Sequence, residues 1–129
     1  MRLLGIDFGL KKVGLAIVEE ELPQPIGVVK NDFHLIAKIS RICQNNQIEK
    51  IIIGLSEGKI ASRIKGFARK VEEITDLPVE FQDESLTSKE AIAKMIEAGK
   101  KRKDRREKED AFAAAIILQE YLKNLNGNV

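Results

Sequence analysis

The stretch Lys50–Leu55, KIIIGL, is a continuous apolar run of strand length. A strand with one wet face alternates apolar and polar residues, so a run with nothing to offer water has to be covered on both faces. That requires the interior of a sheet with helices on either side. Parallel neighbours follow, because crossover helices both join parallel strands and supply the cover. The flanking sequence provides such helices. From about Asp32, the residues Leu35, Ile36, Ile39, Ile42 and Cys43 fall at i, i+3 and i+4 spacings; after the run, Ile60, Ile64, Phe67, Val71 and Ile74 do the same.

The chain opens with a different period. Arg2–Phe8 alternates and is β-prone, GLKK reads as a tight turn, and VGLAIVEE as the return strand of a hairpin. EELPQP interrupts, and Ile26–Lys30 forms a short third strand. Beyond the second helix, LPVEFQ is another strand, with Pro78 at its start. Thr87 and Glu90 have the spacing of a capping box, which opens a helix ending near Gly99. EDAFAAAIILQEYLKNL is the last helix; it is apolar round most of its circumference over Ala111–Leu118 and is expected to be largely buried.

The order β-β-β-α-β-α-β-α-α predicts an α/β fold with a mixed five-stranded sheet. Its first three strands form an antiparallel meander, the later ones are parallel, and helices cover both faces. This arrangement resembles the ribonuclease H-like fold, although other α/β folds share the pattern. A length of 129 residues suits one domain spanning 1–129.

No apolar run approaches the roughly 18 residues of a membrane span, and the first residues lack the layout of a signal peptide. The lone Cys43 forms neither an internal disulfide nor a zinc knuckle; on an apolar stripe it reads as core. The expectation is a cytoplasmic protein without a membrane partner. The net charge of +2 says little about partners, but its distribution says more. The segment Lys100–Lys108, KKRKDRREK, holds seven basic residues against two acidic ones and carries +5, which leaves −3 for the rest.

Against this background one residue is out of place. Along the first strand Leu4, Ile6 and Phe8 lie on one face, and Gly5, Asp7 and Gly9 on the other. Glycine weakens a strand and often marks the close approach of a ligand or a backbone. A buried carboxylate needs a partner to stay ionised, and the candidates are a lysine or a metal. Lys11, Lys12 or backbone amides would satisfy Asp7 without any function. Asp83 and Glu84 fall where the last strand ends, the usual ligand edge of an open α/β sheet, but Glu84 also reads as an exposed loop acid or an ion-pair partner. Asp110 falls in the first turn of the last helix, where the helix dipole favours an acid; it shares a face with Ala114, Ile117 and Tyr121. If the three acids converge, the oxygen-rich site suits Mg²⁺ or Mn²⁺ and the hydrolysis of a phosphodiester.

GIDFGLKKVGLA, DESLTSKEA and EDAFAAAIILQEYL together resemble the YqgF/RuvX family, described as Holliday junction resolvases or pre-16S rRNA nucleases. The likeness runs from the first strand to the last helix, at the family's length. It implies a ribonuclease H-like, metal-dependent nuclease in which Asp7, Glu84 and Asp110 are the catalytic and metal-binding acids and Lys11 is the basic residue of the first turn. Three departures stand out: Ser85 replaces the arginine after the glutamate, GLSEGKIAS replaces a Gly-Leu-Pro-Leu-Asn loop, and Leu10 stands where a small hydroxyl residue is common.

The basic run reads either as a solvated loop or as a nucleic-acid contact at the rim of such a site. Lys11, Lys12, Lys101, Arg102, Lys103, Arg105 and Arg106 are the candidate nucleic-acid-binding residues, with Lys59 and Arg63 as further cations on a helix face. The aromatic residues fall at core-like spacings and suggest no base-stacking platform. His34 reads as a surface residue.

The leading expectation is an endonuclease on structured RNA, an rRNA precursor, acting as a monomer or homodimer. A dimeric resolvase on branched DNA is the enzyme alternative. A non-catalytic ribosome-assembly factor is the binding alternative. GIDFGLKKVG also resembles the first phosphate loop of actin-like sugar kinases, but the chain is too short for their two-lobed cleft.

Overall fold

The computed structural model describes residues 1–20, 22–84 and 102–127, with the side chains of 102–109 and 126–127 excepted. Five strands are present: β1 (Leu3–Phe8), β2 (Lys12–Val18), β3 (Gln24–Lys30), β4 (Lys50–Leu55) and β5 (Val79–Asp83). The helices are α1 (Leu35–Asn45), α2 (Ile60–Thr75) and α3 (Arg102–Gly127). The capping-box helix expected from Thr87 to Gly99 lies outside the described residues.

The sheet order is β3-β2-β1-β4-β5. β1 pairs antiparallel with β2, and β2 with β3, whereas β4 is parallel to both β1 and β5. The mixed five-stranded sheet is therefore as expected. β4 is the strand flanked by parallel neighbours, and Ile51, Ile52 and Ile53 have no exposed surface. Burying each such side chain contributes about 1.5–3 kcal/mol.

The alternation of β1 separates two apolar layers. Leu4 and Ile6 join Val13, Leu15, Ile51 and Ile53 beneath α1 and α2, where Leu35, Ile39, Ile64, Phe67 and Val71 meet them. On the opposite face Leu3, Ala16, Val18 and Ile52 pack on Ala114, Ile117, Leu118 and Tyr121 of α3. The last helix is buried over the stretch that its composition indicated. Its far end is fastened by polar contacts: the Tyr121 hydroxyl donates to Glu80 and accepts from Lys50 Nζ at 3.4 Å, while Lys50 pairs with Glu80 at 2.9 Å.

Three local differences from expectation have physical causes. β3 begins at Gln24 and includes Pro25, which an edge strand tolerates because one row of its backbone groups has no strand partner. Its register slips between Leu15 and Ala16, where Gly27 adopts φ 152°, a value that side-chain-bearing residues rarely reach. The third difference lies in α3, which starts at Arg102 and so takes most of the basic run into the helix. Arg, Lys and Glu are strong helix formers, and their charge alone does not make a loop. Asp110 consequently lies in the interior of α3, so the dipole explanation for an acid in a first turn does not apply to it.

Candidate active site

The side of β1 that carries Asp7 faces α3, and glycines set how close the helix comes. An added Cβ at Gly5 would stand 2.5 Å from Leu118 Cγ and 2.8 Å from the Ala114 carbonyl oxygen. Gly14 is the antiparallel partner of Asp7, and a Cβ there would overlap the carbonyl oxygen of Asp110. With no side chain between them, α3 lies directly on β2 and brings Asp110 beside β1.

The other flank of Asp7 is opened in the same way. One step beyond the Ile6–Ile53 pair, β4 has Gly54. The Glu84 amide donates to the Leu55 carbonyl at 3.1 Å, which holds Glu84 at the end of β4. A Cβ at Gly54 would come within 2.7 Å of Glu84 Cγ and Oε1, so the Glu84 side chain occupies the space that this glycine leaves. Asp7 thus stands between Gly14, with Asp110 above it, and Gly54, with Glu84 above it.

The electrostatics follow from how near the acids lie. The Asp7 carboxyl is pushed up to about 9, first by burial, then by its hydrogen bond to Glu84 and by the charges of Glu84 and Asp110. Burial and the neighbouring negative charge thus favour a proton held between Asp7 and Glu84. Ser56 Oγ donates to Glu84 Oε2 at 2.6 Å and fixes the carboxylate from the other side. Asp110 Oδ2 lies 3.4 Å from Lys12 Nζ. Lysine does satisfy an acid here, but that acid is Asp110, not Asp7.

Among the described residues no group of three or more Asp, Glu, His or Cys side chains is arranged to hold a metal ion. Instead a shared proton and Lys12 offset part of the like-charge repulsion. The donor set is three carboxyl groups and a hydroxyl, which suits hard cations such as Mg²⁺ or Mn²⁺ rather than zinc. Three neighbouring acids with one lysine leave this place short of positive charge, which a divalent cation would supply. The residue types fit such an ion, although their side chains are not arranged around one.

The remaining candidates divide. Lys11 and Lys12 are exposed at the same edge. Arg102, Lys103, Arg105 and Arg106 lie on α3 before Asp110, and their side chains are outside the described set, as is Lys101 altogether. Ser85, the departure from the family's arginine, is also outside it. His34 is exposed and Cys43 is buried in the α1–α2 layer, as expected. Sequence reasoning did not find Ser56, which drew notice only as part of an altered loop. Gly5 was the one sequence signal of this close approach that the first strand offered; its recurrence as Gly14 and Gly54 in the two adjacent strands extends that signal to the whole site.

Ser56→Ala removes the donor that orients Glu84. Loss of such a supporting hydrogen bond is expected to weaken divalent-cation binding about 10–100-fold, with Ser56→Thr retaining affinity. Mn²⁺ titration followed by thermal midpoint measures both, and equal affinity in Ser56→Ala would remove the positioning role.

Comparisons with known proteins bear on the family and the fold. A protein from Syntrophomonas wolfei named "Putative pre-16S rRNA nuclease" is 35% identical over 136 residues, covering 95% of this chain and 94% of its own. One of the same name from Protochlamydia amoebophila is 34% identical over 138 residues, covering 94% and 92%. Among solved structures, Thermus thermophilus RuvC in complex with a Holliday junction substrate superposes with a TM-score of 0.65 at 20% identity, covering 98% of this chain and 96% of that one. That likeness is one of fold, and it agrees with the ribonuclease H-like reading of the sheet. The family model described as "RuvX: Holliday junction resolvase" matches residues 1–124. The convergence of Asp7, Glu84 and Asp110 thus occurs in a chain that belongs to the RuvX family.

Proposed function

We propose that this protein is a Mg²⁺- or Mn²⁺-dependent endonuclease that hydrolyses phosphodiester bonds in structured nucleic acid, with the 5′ end of precursor 16S rRNA as its substrate. The observation that carries the proposal is the meeting of Asp7, Glu84 and Asp110 at one sheet edge. The names of the relatives support the choice of rRNA. We infer further that residues 1–129 act as one domain in the cytoplasm.

Asp7, Glu84 and Asp110 would hold the cation. When bound, it stabilises charge on the phosphoryl oxygens and lowers the pKa of water. Asp7 and Glu84 would offer the cation their carboxylate oxygens once the proton held between them is lost to solvent. Ser56 keeps Glu84 from turning away, and Lys12 restrains Asp110 until phosphate competes for its ammonium. Lys11 and Lys12, with Lys101, Arg102, Lys103, Arg105 and Arg106 of the basic run, neutralise the backbone of the substrate, which makes binding salt-dependent.

A second reading, resolution of branched DNA by a homodimer, draws on the family's description. The two are separated by incubating the protein with precursor rRNA and with four-way DNA junctions, in Mn²⁺ or in EDTA, beside Asp110→Asn. The rRNA reading expects metal-dependent cutting of the RNA by a monomer and its loss in the variant. Cutting of junctions alone, by a species of twice the monomer mass, selects the resolvase. Cutting in EDTA, or equal activity in Asp110→Asn, overturns the mechanism. Binding without any cleavage indicates an assembly factor.

A further inference from the structure

A groove of about 660 Å³ opens between the start of α1 and the first half of α2, on the sheet face opposite Asp7. Its floor is formed by Phe8 and Phe67, whose ring centroids are 4.7 Å apart. Its rim carries Leu10 and Phe33, which are 57% and 91% exposed, and the exposed cations Arg63 and Lys70. A phenylalanine exposed to this degree contributes nothing to the core, and beside a second exposed apolar side chain it marks an interaction surface.

The position of the groove ties it to the active site. β3 runs parallel to β1, both being antiparallel to β2, so Asn31–Phe33 emerge at the same sheet edge as Asp7. The loop that separates groove from carboxylates is fixed: Asn31 Nδ2 donates to the Gly9 carbonyl at 2.6 Å, and the Asn31 amide to the Lys11 carbonyl at 2.9 Å. Lys11 and Lys30 are exposed along the same edge. The lining holds one acid, Asp32, and one of its oxygens is engaged by the His34 amide at 2.9 Å. The Phe33 ring rests against the His34 ring with centroids 4.2 Å apart, which steadies it as a platform.

We propose that this groove seats a single-stranded stretch of the RNA substrate, with a base stacked on Phe33 beside Leu10 and adjacent phosphates held by Arg63 and Lys70. The proposal rests on the nucleic-acid reading above. Aromatic and cationic side chains together are the means by which proteins hold unpaired nucleotides, and the volume is within the ~300–1,000 Å³ typical of ligand sites. An apolar protein segment would use Phe33 and Leu10 but leave the two cations without a role. Opposite the carboxylates across a fixed loop, the groove would select substrates in which the scissile bond lies next to an unpaired flank.

The test measures affinity in a full-length Asp110→Asn background, where nothing is cut, by fluorescence anisotropy. An RNA hairpin with an overhang of about six nucleotides, within a single-strand footprint, is compared with the same hairpin blunt-ended. The overhang is expected to tighten binding about tenfold. Phe33→Ala should abolish that preference and Phe33→Tyr should keep it, since one stacked base is worth roughly 5- to 150-fold. Arg63→Ala with Lys70→Ala should make the logarithmic salt dependence shallower, by about 0.7 in slope for each phosphate that is no longer neutralised. Equal binding of the two hairpins, or an overhang preference that survives Phe33→Ala, overturns the proposal. The nuclease reading fails separately, by metal-independent cutting in the cleavage assay, so the two failures are distinguishable.

Discussion

Gly14→Ala is expected to destabilise the protein by about 2–3 kcal/mol and to lower activity together with stability. The new methyl group would occupy the position of the Asp110 carbonyl oxygen. This obstacle is helix backbone, not the far end of a flexible side chain, so α3 must lift from β2 as a body. Overpacking of this kind costs about 1–3 kcal/mol. Here the displaced element also carries Asp110 and the layer formed by Ala114, Ile117, Leu118 and Tyr121. Gly66 in α2 is the control, because a Cβ there meets nothing within 4 Å. Gly66→Ala should stabilise by about 0.5–1 kcal/mol, since glycine in a helix interior is disfavoured by that amount. Urea unfolding of both variants decides the matter: a Gly14→Ala loss under about 0.5 kcal/mol, on the scale of a neutral surface substitution, would mean that α3 does not rest on β2 as described.

Asp7→Asn is expected to abolish cleavage, by at least about 10²–10³-fold, the scale of removing one preorganised electrostatic group, and to change the pH dependence of stability in EDTA. The sign follows from the direction of the shift. Asp7 is raised from 3.8 to about 9, so the folded state holds a proton that the unfolded state has lost over that range. The stabilising contribution of that proton is complete below about pH 4 and disappears as pH rises through 9, at no more than about 1.4 kcal/mol per pH unit. The parent protein should therefore lose stability between about pH 5 and pH 9 in EDTA relative to Asp7→Asn, which has no carboxyl to ionise. Adding Mn²⁺ should reverse the parent's loss, by about 2.7 kcal/mol at a hundred times the dissociation constant, and should shift the variant little. Parallel pH profiles for the two proteins, or equal stabilisation of both by Mn²⁺, would sink the assignment of Asp7 as a cation ligand.

Much of the architecture was legible in consecutive residues. The unbroken KIIIGL run required cover on both faces, and β4 is the strand with parallel neighbours on each side. The alternation of Leu4, Ile6 and Phe8 against Gly5, Asp7 and Gly9 correctly divided β1 between the α1–α2 layer and the α3 layer. The apolar circumference of Ala111–Leu118 announced a buried helix. These features are local because backbone periodicity alone decides which side chains share a face. The three acids were nominated by the same means, aided by likeness to a family motif.

Meetings between distant positions were not legible. Lys12 and Asp110 are 98 residues apart, and only the close packing of α3 on Gly14 brings the ammonium to that acid and not to Asp7. Ser56 meets Glu84 because the β4–β5 register ends both strands at the same level. Phe33 has a spacing compatible with a core, yet it stands in solvent because α1 begins after it at Leu35. By itself, then, the chain determined its elements, their buried faces and a short list of acids. The tertiary structure alone decided which acids stand together, which one meets the lysine and which phenylalanine is left outside, because each depends on strand register and interlayer distance, properties that no run of neighbouring residues encodes.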